Sequence, residues 1–174
     1  MFKNPNLYVI SGGPGSGKTT VLQEIAKLGF HHLPEDARQI IQEQTMGGGT
    51  ALPWLDRESY TQLLLQRSIK SYLEHFPSLQ STFSDRGIPD TLCYARLIGL
   101  LDIGLIESAC REYRYAPGVF LVWLLPSPLW GRGWRASGVI ASRGGPGEGV
   151  SPIVNSYVGH HTSPALNGDV QDGP

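Results

Sequence analysis

Residues 12–19 have the types and the spacing needed to hold a chain of phosphates. They read GGPGSGKT and directly follow a short, mostly apolar run, VIS. Glycines let such a loop curl until its backbone N–H groups point inward, and a helix that starts at the loop adds partial positive charge. The lysine supplies a full charge for the terminal phosphates, and the threonine hydroxyl can ligate Mg²⁺. The segment therefore predicts a nucleotide-triphosphate site.

The pattern G-x-x-x-x-G-K-[ST], the Walker A motif or P-loop, is matched at every fixed position. Lys18 is expected to act in catalysis by reaching the β- and γ-phosphates of ATP, and Thr19 to hold Mg²⁺. The alternative is an ordinary glycine-rich turn, which the predicted strand before the loop and the helix after it disfavour. The residues expected to contact the nucleotide are Gly12, Gly13, Pro14, Gly15, Ser16, Gly17, Lys18, Thr19 and Thr20.

Two carboxylates follow the next two predicted strands. Glu35 comes after the second strand in LPEDARQ, and Asp85 ends the third strand in FSDRG. Ligands of parallel sheets bind at the carboxyl ends of the strands. Glu35 is therefore a candidate base for a hydroxyl nucleophile or a residue that orients a water, with Asp36 equally available. Asp85 is a candidate catalytic residue and Mg²⁺ ligand. The alternatives are a first-turn glutamate for Glu35 and a helix cap for Asp85.

Arginines accompany both carboxylates. Arg86 follows Asp85 and Arg38 lies one turn beyond Glu35, so both are candidate contacts for a substrate that accepts phosphate. A surface ion pair is the alternative for Arg86. Arg111 and Arg114, in CREYRYAPG, would suit lid-like cations but are more typical of a solvated helix end.

The segments that must position these residues alternate between strand and helix patterns. A glycine-rich stretch at 45–53 predicts a flexible loop. Alternation of this kind predicts an α/β fold with a parallel sheet covered on both faces by helices. The strands are expected at 7–11, 30–33, 82–85 and 119–125, and the helices at 17–28, 35–44, 56–74, 89–98 and 105–113.

Composition separates the chain into two parts. Its 174 residues suit one domain. In residues 126–174, however, glycine and proline account for 16 of 49 positions, which is typical of poorly folded sequence. We therefore predict a P-loop ATPase domain at 1–122 and a disordered, Gly/Pro-rich tail at 123–174.

Charge and cysteine content limit the partners and the compartment. With 14 basic and 15 acidic residues, the chain gives no electrostatic argument for binding nucleic acid or a membrane, and we expect neither as a partner. No apolar run approaches the ~18 residues of a membrane span. The two cysteines suit reduced thiols in a cytoplasmic protein.

Five segments together resemble a known family. They are VISGGPGSGKTTVLQEIAKLGF, PEDARQIIQEQ, ALPW, SDRGIPDTLCYARLIGL and REYRYAPGVFL. They are similar to the AAA-type P-loop ATPase domain of nicotinamide-riboside-kinase-like (NadR-like) proteins and of the TRPL translocation defect protein family. The resemblance covers about residues 5–121. It implies a three-layer α/β fold that binds Mg-ATP and either hydrolyses it or transfers phosphate to a small molecule.

The resemblance also implies roles for three residues. The DRG segment looks like the Asp-Arg segment of nucleoside and nucleotide kinases. This likeness implies that Asp85 lies near magnesium or substrate and that Arg86 lies near the acceptor. Glu35 looks like the carboxylate that those kinases place after their second strand.

The likeness ends after the VFL strand. Family members continue with an arginine-containing lid, a long helix and a last strand, whereas this chain continues VWLLPSPLWGRGWRASGVIASRGGPGEGVSP. We interpret residues from about 122–126 onward as non-family sequence that follows a truncation or frameshift, with the C-terminal part of the fold missing. Such an ending is expected to leave an apolar sheet edge that favours aggregation, unless SGVIAS at 137–142 supplies an edge strand.

Three functional hypotheses follow from the sequence. The first is a kinase-like Mg-ATP enzyme that phosphorylates a small molecule or hydrolyses ATP. The second is a nucleotide-dependent switch or binding module. The third is an inactive, truncated fragment, favoured by the tail rather than by the core.

Overall fold

The computed structural model of the chain describes residues 1–124, 137–143 and 151–153. The helices in these ranges are α1 (Lys18–Lys27), α2 (Asp36–Gly47), α3 (Arg57–Glu74), α4 (Ile88–Leu97) and α5 (Gly104–Glu112). The strands are β1 (Phe2–Lys3), β2 (Leu7–Ser11), β3 (His31–Leu33), β4 (Thr82–Asp85), β5 (Tyr113–Arg114), β6 (Val119–Leu124), β7 (Ser137–Arg143) and β8 (Ser151–Ile153). None of the described helices has the length and apolarity needed to cross a lipid bilayer.

Strand β2 lies inside a six-stranded sheet whose order is β3-β4-β2-β6-β7-β8. The four strands β3, β4, β2 and β6 are parallel, and β7 and β8 run antiparallel to their neighbours. Val9 of β2 is in register with Ser84 on one side and with Val119 on the other. The carboxyl ends of β2, β4 and β6 therefore meet at one edge, and the predicted α/β fold with a parallel sheet is confirmed.

Alternate residues of the strands pack against helices on opposite faces of the sheet, as the pleat requires. Ile10 packs with Leu22 of α1 on one face. Leu7 packs with Tyr72 of α3 on the other face. Helices α2 and α3 share a further cluster that includes Ile40. The result is the helix–sheet–helix arrangement expected from the alternating pattern.

A second, two-stranded sheet has no signal in the sequence. Strand β1 pairs in parallel with β5 over only two residues each. The Tyr72 hydroxyl donates to the backbone oxygens of Phe2 and Arg114, at 3.1 and 2.9 Å. Strands this short carry no periodicity, so they form because the tyrosine and the neighbouring core bring them together.

The predicted bounds hold closely for the strands that enter the site and less well for α2. The 7–11 and 82–85 strands are found as predicted. Helix α2 extends to Gly47 and ends where Gly48 adopts the left-handed conformation, at φ 67°. The predicted loop 45–53 is therefore wrong at its first three residues, because the first of the three glycines after Met46 continues the helix and the second ends it.

The segment that follows β6 contributes to the sheet. Strand β7 pairs with β6 from Val119 opposite Ser142 to Leu124 opposite Ser137. The arrangement in which SGVIAS supplies a neighbouring strand is therefore the one observed, and β6 is not the sheet edge. The domain boundary at 122, the missing C-terminal part and the disorder expected for the rest of 123–174 stay predictions, since most of those residues lie outside the described ranges.

Candidate functional site

Two adjoining cavities open at the carboxyl edge of the sheet. The first, which we call the loop cavity, has a volume of about 630 Å³ and follows the P-loop from Pro14 to Thr20. The second, the helix cavity, has a volume of about 740 Å³ and is bounded by residues of α2, α3 and α4. The residues common to both walls are Pro14, Glu35, Arg38, Asp85 and Arg86. All five are predicted site residues, Pro14 as a nucleotide contact and the other four as catalytic, metal-binding or substrate-binding residues.

The P-loop lies so close to β6 that its first glycine cannot be replaced without movement. Gly12 has φ 145°, and a Cβ atom at this position would lie 2.2 Å from the Val122 carbonyl oxygen. Gly15 and Gly17 also have positive φ, at 73° and 96°. The backbone conformation is the reason for glycine that the sequence pattern predicted, and the close approach of Gly12 to Val122 is a second reason that it did not predict.

Lys18 holds the loop in a closed curl. Its ammonium group donates to the carbonyl oxygens of Gly12 and Gly13, each at 2.9 Å, and the residue is only 7% exposed. Burial, assisted by the charge of Arg86, lowers the pKa of Lys18 below its ordinary value, while the nearby carboxylates oppose the shift. A phosphate group would offer this ammonium a charged partner in place of two neutral carbonyls.

Two residues that line the loop cavity each have a buried polar atom without a hydrogen-bond partner among the described residues. The atoms are the Ser16 hydroxyl and Oδ1 of Asp85, and both residues are less than a tenth exposed. Burial, followed by the negative charge of Glu35, raises the pKa of Asp85 above its ordinary value, and Lys18 and Arg86 oppose the shift. Buried polar groups without partners are uncommon in folded proteins, and these two suit a polar ligand.

Glu35 stands at the N-terminus of α2 and is held by arginine. It is the N-cap residue, although its side chain makes no capping hydrogen bond. Its Oε1 accepts from Arg86 Nε at 2.7 Å, and its Oε2 lies 3.7 Å from Arg38 Nη2. Arg86 has φ 71°, a conformation that costs a non-glycine residue ~1–3 kcal/mol. The side chains of Arg86 and Glu35 are 28% and 19% exposed, so their ion pair is half-buried and does not lie on the open surface.

Asp90 belongs to the same cluster and was not among the residues predicted from the sequence. Its carboxylate accepts from Ser11 Oγ and from the Gly87 N–H, and it lies 3.4 Å from Arg86 Nη1. Burial raises the pKa of Asp90, while the Ser11 hydrogen bond and the Arg86 charge oppose the shift. Asp90, not Asp85, thus caps α4. Its position four residues after Arg86 and three after a glycine was the available signal.

The helix cavity combines an apolar wall with a few polar groups. The rings of Tyr60 and Tyr94 meet edge to face, with centroids 5.6 Å apart, and Ile41 and Leu64 extend the apolar surface. Burial raises the pKa of Tyr60 to about 12, so its hydroxyl stays protonated at neutral pH. A wall of this kind suits a small organic molecule.

The polar groups of the helix cavity include Asp36 and Thr91. Asp36 accepts from Ser71 Oγ at 2.8 Å, and burial raises its pKa above the ordinary value. The hydroxyl of Thr91 is buried without a partner. Both tyrosines and Thr91 lay on predicted helices, but periodicity alone does not distinguish a cavity wall from core.

The structure does not bring the two arginines of CREYRYAPG to either cavity. Arg111 lies in the last turn of α5 and donates to Ser108 Oγ at 3.2 Å. The Arg114 carbonyl oxygen accepts from the Asn4 N–H at 2.8 Å within the small sheet. Neither residue lines the described cavities.

The oxygen donors of the loop cavity fit magnesium that arrives with phosphates. In the described residues no group of three or more His, Cys, Asp and Glu side chains could hold a metal ion. Thr19 and Asp85 both line the loop cavity, and Oδ1 of Asp85 is free to act as a ligand. Mg²⁺ prefers a few hard oxygen ligands from protein and takes the rest from phosphates and water.

One comparison with known proteins gives a match. A family model described as "AAA domain" matches residues 7–138, which is about three quarters of the 174-residue chain. The matched segment contains the P-loop, both cavity walls and the first residues of β7, and it continues past residue 122. No curated protein matches the chain.

Proposed function

The chain belongs to the AAA domain family of P-loop ATPase domains, and from that premise we propose that it transfers the γ-phosphoryl group of ATP to a hydroxyl group of a small molecule. The observation that carries the proposal is the common wall of the two cavities, since one can receive the phosphates and the other an acceptor. Within this family the chain would be most similar to NadR-like proteins. It would act in the cytoplasm, with neither nucleic acid nor a membrane as its partner.

The loop cavity would hold Mg-ATP. The backbone N–H groups of Gly15 to Thr20, which include the N-terminus of α1, would surround the phosphates. Lys18 would exchange its two carbonyl partners for phosphate oxygens. Thr19 and Asp85 would hold Mg²⁺, which supplies positive charge that offsets the charge of the phosphates. The buried, unpartnered oxygen of Asp85 supports this assignment.

The helix cavity would hold the acceptor with its hydroxyl at the shared wall. Glu35 would accept the hydroxyl proton as the acceptor oxygen bonds to the γ-phosphorus, while the bond from that phosphorus to the β,γ-bridging oxygen breaks and ADP leaves. Arg86 Nε, 2.7 Å from Glu35 Oε1, would hold the carboxylate in place beside the acceptor hydroxyl. Arg38 and Arg86 would contact the acceptor or the transferred group.

The first test measures binding by thermal unfolding of the 174-residue chain with and without Mg-ATP. Ligand at 100 times its Kd stabilises a fold by ~2.7 kcal/mol, so the wild-type melting temperature should rise clearly. Lys18→Ala should remove the rise. Lys27→Ala, on the same helix but 70% exposed and paired with Glu24, is the matched control and should keep it. A cooperative transition that ATP does not move would rule out the nucleotide site.

The second test measures ADP formation with pools of small hydroxyl compounds. Transfer predicts a rate that depends on the acceptor and that falls ~10²–10⁴-fold in Glu35→Gln, the loss typical of a general base. ATP consumption that no compound accelerates, with a conformational response to nucleotide, would instead favour the switch. A chain without any cooperative transition would favour the inactive fragment.

A further inference from the structure

Asp90 joins the strand before the P-loop to the arginine that holds Glu35. Its Oδ1 accepts a hydrogen bond from Ser11 Oγ and lies 3.4 Å from Arg86 Nη1. Its Oδ2 accepts from the Gly87 N–H at 3.0 Å. Only 12% of the side chain is exposed, so these contacts are largely shielded from water, where charged hydrogen bonds are strongest. Both carboxylate oxygens are thus fixed by partners from different segments.

From Arg86 the same chain of contacts reaches Glu35. Arg86 Nε lies 2.7 Å from Glu35 Oε1 and connects the end of β4 with the start of α2. The left-handed φ of Arg86 is one that its residue type rarely adopts. Two carboxylates contact the guanidinium at the far end of this side chain and hold its direction. Asp90 and Glu35 supply these carboxylates, and of the two only Asp90 is itself anchored by further hydrogen bonds within the described residues.

Ser11 gives this cluster its connection to the nucleotide site. It is the last residue of β2 and precedes Gly12, whose backbone lies tightly against β6. A shift of Asp90 away from Ser11 would therefore move Arg86 relative to the P-loop and not only relative to α4.

We propose that Asp90 is a positioning residue for the phosphoryl transfer: it holds Arg86, and through Arg86 the carboxylate of Glu35, at the wall shared by the two cavities. The inference rests on the proposed function, because that function gives Glu35 the role of base. Asp90 also lines the helix cavity, but Ser11, Arg86 and Gly87 engage both of its carboxylate oxygens, so it acts on the reaction through Arg86 and Glu35.

Helix capping is the competing explanation for the same contacts. Asp90 is the third residue of α4 and accepts from the N–H of Gly87, which is the N-cap residue. Capping alone would stabilise α4 and leave turnover unchanged once the protein is folded. Asp90→Asn separates the two roles, because an amide oxygen still accepts from Gly87 but gives Arg86 no negative charge.

The test measures ADP formation from Mg-ATP, with water as the phosphoryl acceptor, in the full chain and in three variants. These are Asp90→Asn, Glu35→Gln and the double variant. We expect Asp90→Asn to lower kcat about 10-fold or more while KM for ATP changes less than about 3-fold. The double variant should be no slower than Glu35→Gln alone, because residues that act as one unit give non-additive losses.

Asp56→Asn is the matched control. Asp56 caps α3 through the Ser59 N–H at 3.0 Å and lines neither described cavity. Its kcat should equal that of the wild type, which shows that asparagine at a helix N-terminus is tolerated. The unfolding temperature of each variant confirms that every rate refers to folded protein.

The outcomes separate this inference from the proposed function. An unchanged kcat in Asp90→Asn, or losses that multiply in the double variant, would overturn the positioning role and leave the proposed function standing. A wild-type rate that Glu35→Gln does not lower would overturn the role of Glu35 in the proposed function, and the inference with it.

Discussion

Asp85 is the residue at which function and stability conflict most directly. The residue is 8% exposed, its Oδ1 has no hydrogen-bond partner in the part of the chain that the structure describes, and burial raises its pKa above the ordinary 3.8. The charges of Lys18 and Arg86 oppose this rise in the pKa. Among the described residues, however, neither side chain forms a hydrogen bond or an ion pair with Asp85. A buried carboxylate without an ion-pair partner destabilises the free protein. A cation that arrives with the nucleotide would balance this charge, which explains why a functional site keeps it.

Asp85→Asn is therefore expected to stabilise the free protein and to weaken nucleotide binding. Removing a buried, unpaired charge should raise the melting temperature by about 2–4 °C, the shift that ~1 kcal/mol produces in a protein of this size. The same variant should lose most of the stabilisation by Mg-ATP. Thermal unfolding with and without Mg-ATP measures both effects, and exposed Asp102→Asn should change neither. A variant less stable than the wild type without ligand would contradict this account of Asp85.

The advantage of Asp85→Asn should also depend on pH, with a sign that follows from its raised pKa. The folded state binds a proton at Asp85 more readily than the unfolded state, so wild-type stability falls as pH rises from about 3.8 through the raised pKa. The difference in melting temperature between variant and wild type should be small near pH 4 and should grow to a plateau above the raised pKa. A difference independent of pH would exclude a charge effect.

The sequence predicted those site residues whose chemical type is expected at the end of a strand. It missed those that join the site only through contacts made in the folded chain. Lys18 begins α1, Glu35 directly precedes α2 and Asp85 ends β4, so a parallel sheet must gather all three at one edge. The ion pair of Glu35 with Arg86 spans 51 residues, and no local pattern encodes it. Asp90 was missed for the same reason, since its capping position was visible but its contact with Ser11 was not.

At the scale of elements, the P-loop depends on how closely β2 and β6 approach each other. Both strands are in register, and the Val122 carbonyl occupies the space that a side chain at residue 12 would need. The loop is therefore braced by the sheet on one side and by Lys18 on the other. This arrangement explains why the loop can hold its curl before a phosphate binds.

Gly12→Ala is expected to damage the fold and the site together. The added methyl group would lie 2.2 Å from Val122 O at φ 145°, and overpacking of this kind costs ~1–3 kcal/mol before the backbone strain is added. A methyl group added at the neighbouring Gly13 would meet no atom within 4 Å, so Gly13→Ala is the matched control. Denaturant unfolding should show a loss in Gly12→Ala and a change within ~0.5 kcal/mol in Gly13→Ala. Equal stability of the two variants would contradict the tight contact.

Elements with strong periodicity were predictable, and those fixed by partners were not. The mostly apolar run LYVIS gave β2 its observed bounds, whereas β4 has its predicted bounds although its sequence, TFSD, is mostly polar. The end of α2 was misplaced because three consecutive glycines do not reveal which one adopts positive φ. Strands β1 and β5 form only because Tyr72 and the Asn4 backbone bridge them.

At the scale of the whole molecule, the pairing of β7 with β6 changes what the segment after residue 122 is expected to do. A sheet that ended at β6 would present a row of unpaired N–H and C=O groups beside an apolar strand, a known aggregation hazard. Strand β7 covers that row over six residue pairs, and β8 in turn pairs with β7. The segment therefore stabilises the sheet whatever its origin.

Shortening the chain tests this role. A chain that ends after Leu124 loses the whole β6–β7 ladder, whereas one that ends after Arg143 keeps it. Each net backbone hydrogen bond contributes ~0.5–1.5 kcal/mol, so the shorter chain should lose a few kcal/mol and aggregate on heating. The chain ending at 143 should unfold within a few degrees of the full chain, because among the described strand pairings it loses only the three pairs with β8. Thermal unfolding and light scattering measure both effects, and equal melting temperatures for the chains ending at 124 and 143 would show that β6 needs no neighbour there.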